Sequence, residues 1–161
     1  AGDDVIDGAT GNDDMSGGSG RDTADYSNRT YDLAIALNNM PDDGIGTGGF
    51  DNVRTDFEVI KCGSGGDYVM GSSNNEEIFG GGGSDELHGG GGNDKIHGGA
   101  GDDFIEGNDG NDSIWGDAGE DQLYGNAGDD TFFAKDGQID ALNDVVGTND
   151  TLVIDVFDVL I

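Results

Sequence analysis

The chain has 161 residues, a length that suits one domain. Its 35 Asp and Glu against six Lys and Arg give a formal net charge of −29, which excludes a polyanion-binding surface and makes nucleic acid and anionic membrane poor partners. With 33 glycines such an excess ordinarily means disorder, and binding divalent cations is the way out of it, because each ion removes two units of charge.

Residues 1 to 30 hold two clear repeats and a frayed third. Asp4, Asp13 and Asp22 stand nine apart, and two places after each come Ile6, Met15 and Ala24. The turns Gly8-Ala9-Thr10-Gly11-Asn12-Asp13 and Gly17-Gly18-Ser19-Gly20-Arg21-Asp22 precede the second and third acids. Asp4 lacks its full preceding turn, so its site is expected to be partial, and Ala1, already inside a repeat, is expected to be a fragment boundary.

Residues 31 to 57 break the row. Leu33, Ile35 and Leu37 alternate with polar or small residues and predict a longer strand. Pro41-Asp42-Asp43-Gly44 starts a loop that runs through Gly49, and residues 51 to 53 and 56 to 60 return to strand character. Asp22 to Glu58 is 36 residues and Asp22 to Asp67 is 45, both multiples of nine. The segment is therefore expected to replace two coils in phase. Asp42, Asp43, Asp51 and Asp56 make either an extra loop site or a plain solvated loop.

The block from 58 to 133 carries the main repeat. From Gly66 it reads in rows of nine: GDYVMGSSN, NEEIFGGGG, SDELHGGGG, NDKIHGGAG, DDFIEGNDG, NDSIWGDAG, EDQLYGNAG, then DDTFF. The second place is always acidic (Asp67, Glu76, Asp85, Asp94, Asp103, Asp112, Asp121, Asp130), and the fourth always apolar (Val69, Ile78, Leu87, Ile96, Ile105, Ile114, Leu123, Phe132). Three residues around the apolar place alternate as a half-buried strand does, while the other six are rich in glycines that permit tight turning. Strand, turn, strand, turn takes two rows, so one coil is 18 residues. Coils stacked about 4.8 Å apart build two parallel sheets over one aliphatic row each, an all-β solenoid. Two aliphatics per coil are too few to offset the conformational entropy of so many glycines, and something else must hold the coil.

Residues 134 to 161 lose the phase. Ala134 to Asp140 still resembles a turn, stretched by one residue before Leu142, and Thr148 to Asp155 reads as a strand. The apolar tail Val156-Phe157-Asp158-Val159-Leu160-Ile161 is expected to cover the end of the stack, or to begin a following domain.

The acid that ends each turn identifies the missing term. Glu76, Asp94, Asp112 and Asp130 line one edge of the stack, and Asp67, Asp85, Asp103 and Asp121 the other. Bare carboxylates one coil apart repel, and a hard cation between turns reverses the sign. Ca²⁺ takes six to eight oxygens in flexible geometry and suits carboxylates beside glycine carbonyls, whereas Mg²⁺ wants a stricter octahedron and keeps its waters. The candidate ligands at the N-terminus are Gly8, Thr10, Gly11 and Asp13, with Gly17, Ser19, Gly20 and Asp22. The next are Gly63, Gly65, Asp67 and Glu76, followed by Gly80, Gly81, Gly82, Gly83 and Asp85, and by Gly89, Gly90, Gly91, Gly92 and Asp94. Then come Gly98, Gly99, Ala100, Gly101 and Asp103; Gly107, Asn108, Asp109, Gly110 and Asp112; and Gly116, Asp117, Ala118, Gly119 and Asp121. Gly125, Asn126, Ala127, Gly128 and Asp130 complete the block, and Asp140 extends it. The turn 71 to 76 departs most, with Ser72, Ser73 and Asn74 in place of glycines and Glu for Asp. Such a chain is expected to be largely unfolded without metal and compact with it.

Residues 80 to 88, GGGGSDELH, and 98 to 106, GGAGDDFIE, resemble G-G-x-G-x-D-x-U-x, the calcium-binding nonapeptide of the repeats-in-toxin (RTX, hemolysin-type) family. Residues 107 to 115 and 116 to 124 put Asn108 and Asp117 at the second glycine, residue types that visit the left-handed region. The resemblance implies a right-handed parallel β-roll with about six to ten calcium ions between turns. It also implies type I secretion of an unfolded chain that folds in external calcium, placing the module outside the cell or on its surface beside a covalently linked passenger or catalytic domain. Residues 30 to 67 resemble an interruption common between repeat blocks of such proteins, and on that likeness Glu58 is a metal ligand.

No nucleophile with its base, H-E-x-x-H string, phosphate loop or cysteine cluster appears, and the segment is read as no enzyme. Cys62 sits where the repeat has glycine, and a single cysteine forms no internal disulfide. His88 and His97 fall on opposite sheets, which argues against a shared zinc. Phe79, His97, Trp115 and Phe133 make an outward aromatic row at one-coil spacing. The row is either cross-coil stacking or a platform for sugar rings. A calcium-binding structural module is the first functional reading. A carbohydrate-binding accessory module and the C-terminal part of a secreted protease or toxin are the alternatives.

Overall fold

A computed structural model describes residues 1–9, 12–40, 51–134, 136–143, 149–154 and 158–160. Every regular element among them is a strand, and every pairing is parallel. In chain order these are β1 (Val5–Ile6), β2 (Asp14–Met15), β3 (Thr23–Asp25), β4 (Ala34–Ala36), β5 (Asn52–Val53), β6 (Val59–Lys61) and β7 (Tyr68–Met70). Six-residue strands follow: β8 (Glu77–Gly82), β9 (Glu86–Gly91), β10 (Lys95–Ala100), β11 (Phe104–Asp109), β12 (Ser113–Ala118) and β13 (Gln122–Ala127). β14 (Thr131–Ala134), β15 (Ala141–Asn143), β16 (Thr151–Ile154) and β17 (Val159–Leu160) end the chain.

One sheet has the order β1-β3-β6-β8-β10-β12-β14-β16 and the other β17-β15-β13-β11-β9-β7-β4. Successive strands alternate between the sheets, and partners lie one coil apart, as in Ile96↔Ile114 and Ile105↔Leu123. Ile78, Ile96, Ile114 and Phe132 from the first sheet meet Val69, Leu87, Ile105 and Leu123 from the second, all fully buried. This is the predicted parallel β-roll with its one aliphatic row per sheet.

The strands are longer than the sequence pattern gives. From β8 to β13 they continue through the first residues of the following turn, pairing Gly99 with Asp117 and Ala100 with Ala118. Because every coil repeats the same turn, the turn backbones stack in register and extend the ladder.

The interruption differs from expectation more. β3 pairs directly with β6, Thr23 with Val59, so the first sheet advances one step across 36 residues, not two. The second sheet divides: β5 lies on β2 as a separate two-stranded ladder, while β4 starts the seven-stranded one beneath β7. Leu33 takes the place an Asp holds elsewhere, its N–H donating to Asp67 Oδ1 at 2.8 Å and its carbonyl accepting from Tyr68 N–H at 2.8 Å. Tyr26, Leu33, Ile35, Leu37, Val53 and Phe57 are buried here, so the core is thicker at this level than in the repeats. The loop proposed over Pro41 to Gly49, with Asp42 and Asp43, lies outside the described residues. Toward the C-terminus β16 and β17 continue the two sheets as further rungs, so the described part of the tail stacks instead of crossing the end. Val156, Phe157 and Ile161 lie outside the described residues.

Candidate metal centre

From Asp85 to Asp121 each repeat acid does two jobs with its two oxygens, and only one of them was foreseen. Oδ1 accepts the backbone N–H of the acid one coil earlier: Asp67 to Asp85 at 2.7 Å, Glu76 to Asp94 at 2.7 Å, Asp85 to Asp103 at 2.8 Å, Asp94 to Asp112 at 2.8 Å and Asp103 to Asp121 at 2.9 Å. These bonds satisfy amides buried at the turn-strand junction, where an unpaired N–H is costly. Acid spacing alone could have hinted at them, since a one-coil offset also places each carboxylate over its neighbour's backbone.

Oδ2 does the other job. In Asp13, Asp22, Asp85, Asp94, Asp103, Asp112 and Asp121 it is buried and has no hydrogen-bond partner. A Cβ placed on Gly80 would lie 2.5 Å from Asp85 Oδ2 and 2.5 Å from the carbonyl oxygen of Gly98. On Gly89 it would lie 2.5 Å from Asp94 Oδ2 and 2.7 Å from the carbonyl oxygen of Gly107. A carboxylate oxygen and a carbonyl oxygen of the next coil thus converge on a space that exists only because the first turn residue is glycine. Two acceptors without a hydrogen between them repel, and a hard cation is what such a pair fits. Burial pushes the carboxyls of Asp85, Asp94, Asp112 and Asp121 up to about 7 and that of Asp103 to about 6, and neighbouring acids add to all five shifts.

The other turn places sort by what they meet. The second has positive φ at Gly81, Gly90 and Gly99, and also at Asn108, Asp117 and Asn126, at 75°, 66° and 71°. Asn and Asp are tolerated there as the sequence suggested. At the fourth place a Cβ on Gly83, Gly101, Gly110, Gly119 or Gly128 would overlap a carbonyl one coil earlier. The third, Gly82, Gly91, Ala100, Asp109, Ala118 or Ala127, has room, which is why it varies. At the N-terminal end Gly17 faces Asp22 Oδ2, with the carbonyl of Asp56 in the role of the next glycine, and both Gly18 and Gly20 have positive φ. A Cβ on Gly8 would meet Asp51 Oδ2 at 2.5 Å, not an oxygen of Asp13, and Thr10 and Gly11 lie outside the described residues.

Four acids of the expected set or its surroundings are engaged by protein donors. Asp51 Oδ1 accepts from Asp13 N–H at 3.0 Å and its Oδ2 from the Tyr26 hydroxyl at 3.2 Å, so it belongs to the acid column and not to a loop site. Glu58 Oε2 accepts from Asp22 N–H at 2.8 Å. Asp67 receives Leu33 N–H on one oxygen and Gly63 N–H, at 3.1 Å, on the other. Glu76 curls back onto the amide and hydroxyl of Ser72. Burial and then the Asp67 and Asp85 carboxylates push the Cys62 thiol well up.

Among the described residues no group of three or more His, Cys, Asp or Glu side chains is gathered as a metal cluster. The candidate centres pair single carboxylates with backbone carbonyls. His88 contacts Glu106 and Glu86 on one sheet, and His97 lies on the other. Phe79, His97, Trp115 and Phe133 stack face to face, with centroids 4.9, 4.3 and 4.4 Å apart and planes within 10°. Their faces cover one another and their edges turn outward, the geometry of cross-coil packing, whereas a sugar platform needs free faces.

The model of the RTX calcium-binding nonapeptide repeat matches residues 1–24, 63–96, 70–105 and 97–132, more than half of the chain. No curated protein matches it.

Proposed function

This chain belongs to the RTX calcium-binding nonapeptide repeat family, and we propose that it is a structural module that becomes solid only on binding calcium outside the cell. The β-roll itself is a calcium-binding structural fold. The observation that carries the reading is the row of buried, unbonded Oδ2 atoms at Asp85, Asp94, Asp103, Asp112 and Asp121, opening onto glycine turns in which next-coil carbonyls face Asp85, Asp94 and Asp103. Bound calcium supplies positive charge and oxygen coordination between turns. The chain's own contribution is to hold the carboxylates in line through the Oδ1 bonds and to keep first-place Cβ atoms out of the cradle. With −29 of charge and two core aliphatics per coil, the module is proposed to stay unfolded in a calcium-poor cytosol and to fold after export, beside a passenger domain. About six to ten ions, saturating near 0.1 to 1 mM as in extracellular sites, is the expected loading.

Circular dichroism over a calcium titration tests this. A disordered-chain spectrum in EDTA should give way to a cooperative gain of β signal. A chain already folded in EDTA and unmoved by calcium would remove the coupling.

A further inference from the structure

The two turns after the interruption are built differently from those on either side. Positive φ, found at the second and fourth places of the turns ending at Asp22, Asp85, Asp94, Asp103, Asp112, Asp121 and Asp130, is absent at Gly63, Gly65, Ser72 and Asn74. The carbonyls of Gly63, Gly65, Ser72 and Asn74 still face the glycines one coil on, as those of Gly81 and Gly83 do, so the turns 62–67 and 71–76 differ in backbone twist and not in the side their carbonyls present. Their acids differ too. Asp67 has Leu33 N–H and Gly63 N–H on its two oxygens, and Glu76 has Ser72 N–H and hydroxyl on its own, whereas Asp85 and Asp94 leave Oδ2 unbonded.

Cys62 accounts for the first of these. It holds the first turn place, where Gly80, Gly89 and Gly98 leave the cradle open, and a Cβ there stands in the position toward which the carboxylate oxygen and the facing carbonyl converge. The remainder of the turn, Gly63-Ser64-Gly65-Gly66-Asp67, already has the residues of the calcium-binding pattern.

We propose that the coil formed by residues 62–76 holds no calcium, that protein hydrogen bonds replace the ions there, and that Cys62 is the residue that closes its first turn. The calcium sites therefore fall into two groups, the turn ending at Asp22 and the turns from residue 80 to 130, joined by a metal-independent rung resting on the thicker core of the interruption. The inference rests on the calcium reading above.

Native mass spectrometry of calcium-saturated full chain separates the two claims. Wild type carrying no calcium at all sinks the functional reading. If wild type is loaded, Asp67→Asn should keep the wild-type ion count, while Asp103→Asn should lose at least one. Cys62→Gly should gain one ion, and Cys62→Ala, which retains a Cβ, should gain none. Loss of an ion from Asp67→Asn, or no gain from Cys62→Gly, overturns the proposal. The Cys62→Gly arm is a gain in a turn that keeps all its other residues, so poor folding of Asp67→Asn does not shelter the claim.

Discussion

A Cβ on Gly83 would overlap the carbonyl of Gly65, at a φ of +119°, whereas a Cβ on Gly82 would find nothing nearer than 3.8 Å. The two neighbours therefore separate conformational need from mere composition. Gly83→Ala should cost roughly 1 to 3 kcal/mol from the strained backbone alone, before any displacement of the coil beneath. Gly82→Ala should be neutral or stabilise by about 0.4 to 1 kcal/mol through the unfolded chain. Thermal melts at saturating calcium compare them directly, and equal losses would contradict the turn geometry. The two oxygens of Asp103 divide in the same manner. Asp103→Asn keeps an acceptor for Asp85 N–H and loses the charge, so calcium affinity should fall while the holo fold persists. Asp103→Ala also orphans that buried amide, a further roughly 1 to 3 kcal/mol. A melt difference between the two variants at saturating calcium measures the Oδ1 role alone.

At the scale of elements, a nine-residue period with fixed acid and aliphatic places specified both sheets, the pairing register and the buried row, because side chains one coil apart must share a face. What the period could not show is anything that departs from it. The segment 31–57 keeps the count of nine, yet its residues divide between two ladders, since hydrophobic burial of Leu33, Ile35, Leu37, Val53 and Phe57 outweighed the continuation of a uniform coil. Strand length was under-read for the opposite reason: glycines that look like turn residues pair as strand once an identical turn lies above and below. The metal sites were visible as residues but not as bonds: the turn ending at Glu76 stood out by its missing glycines, but Asp67 could not be told from Asp85 and Asp94 until its hydrogen-bond partners were known. The ring stack is an element-scale feature with its own test. Trp115 has His97 on one face and Phe133 on the other, so Trp115→Ala should cost about 0.5 to 1.5 kcal/mol for each lost ring pair beyond its buried area. Denaturant unfolding of the calcium-loaded variant reads that loss. Oligosaccharide titration of wild type should leave Trp115 fluorescence unchanged, and a saturable shift would restore the platform reading.

For the whole molecule, protons and calcium compete for the same oxygens but act on the fold with different pH signs. In chelator, the folded carboxyls of Asp85, Asp94, Asp112 and Asp121 sit at about 7 and that of Asp103 at about 6, against an ordinary 3.8. The folded chain thus holds these protons more tightly than the unfolded chain does. Stability from this source is complete below the ordinary carboxylate range and is lost as pH rises through about 6 to 7. Acid therefore favours compaction of the calcium-free chain, and the charge of −29 at neutral pH adds in the same direction by self-repulsion. With calcium present the dependence turns over, because the ligand form is the carboxylate: the chain that acid has compacted must release these protons to take up metal, so as pH falls through that same interval the calcium midpoint should move to higher concentration. Circular dichroism in EDTA at about pH 5 and pH 8, paired with calcium titrations at about pH 6 and pH 8, tests both signs at once. More β signal in EDTA at pH 5 than at pH 8, together with a weaker midpoint at pH 6, is the expected pair of results. A chelated chain more ordered at pH 8, or a midpoint indifferent to pH, would mean that the buried aspartates are not the groups that couple metal to folding.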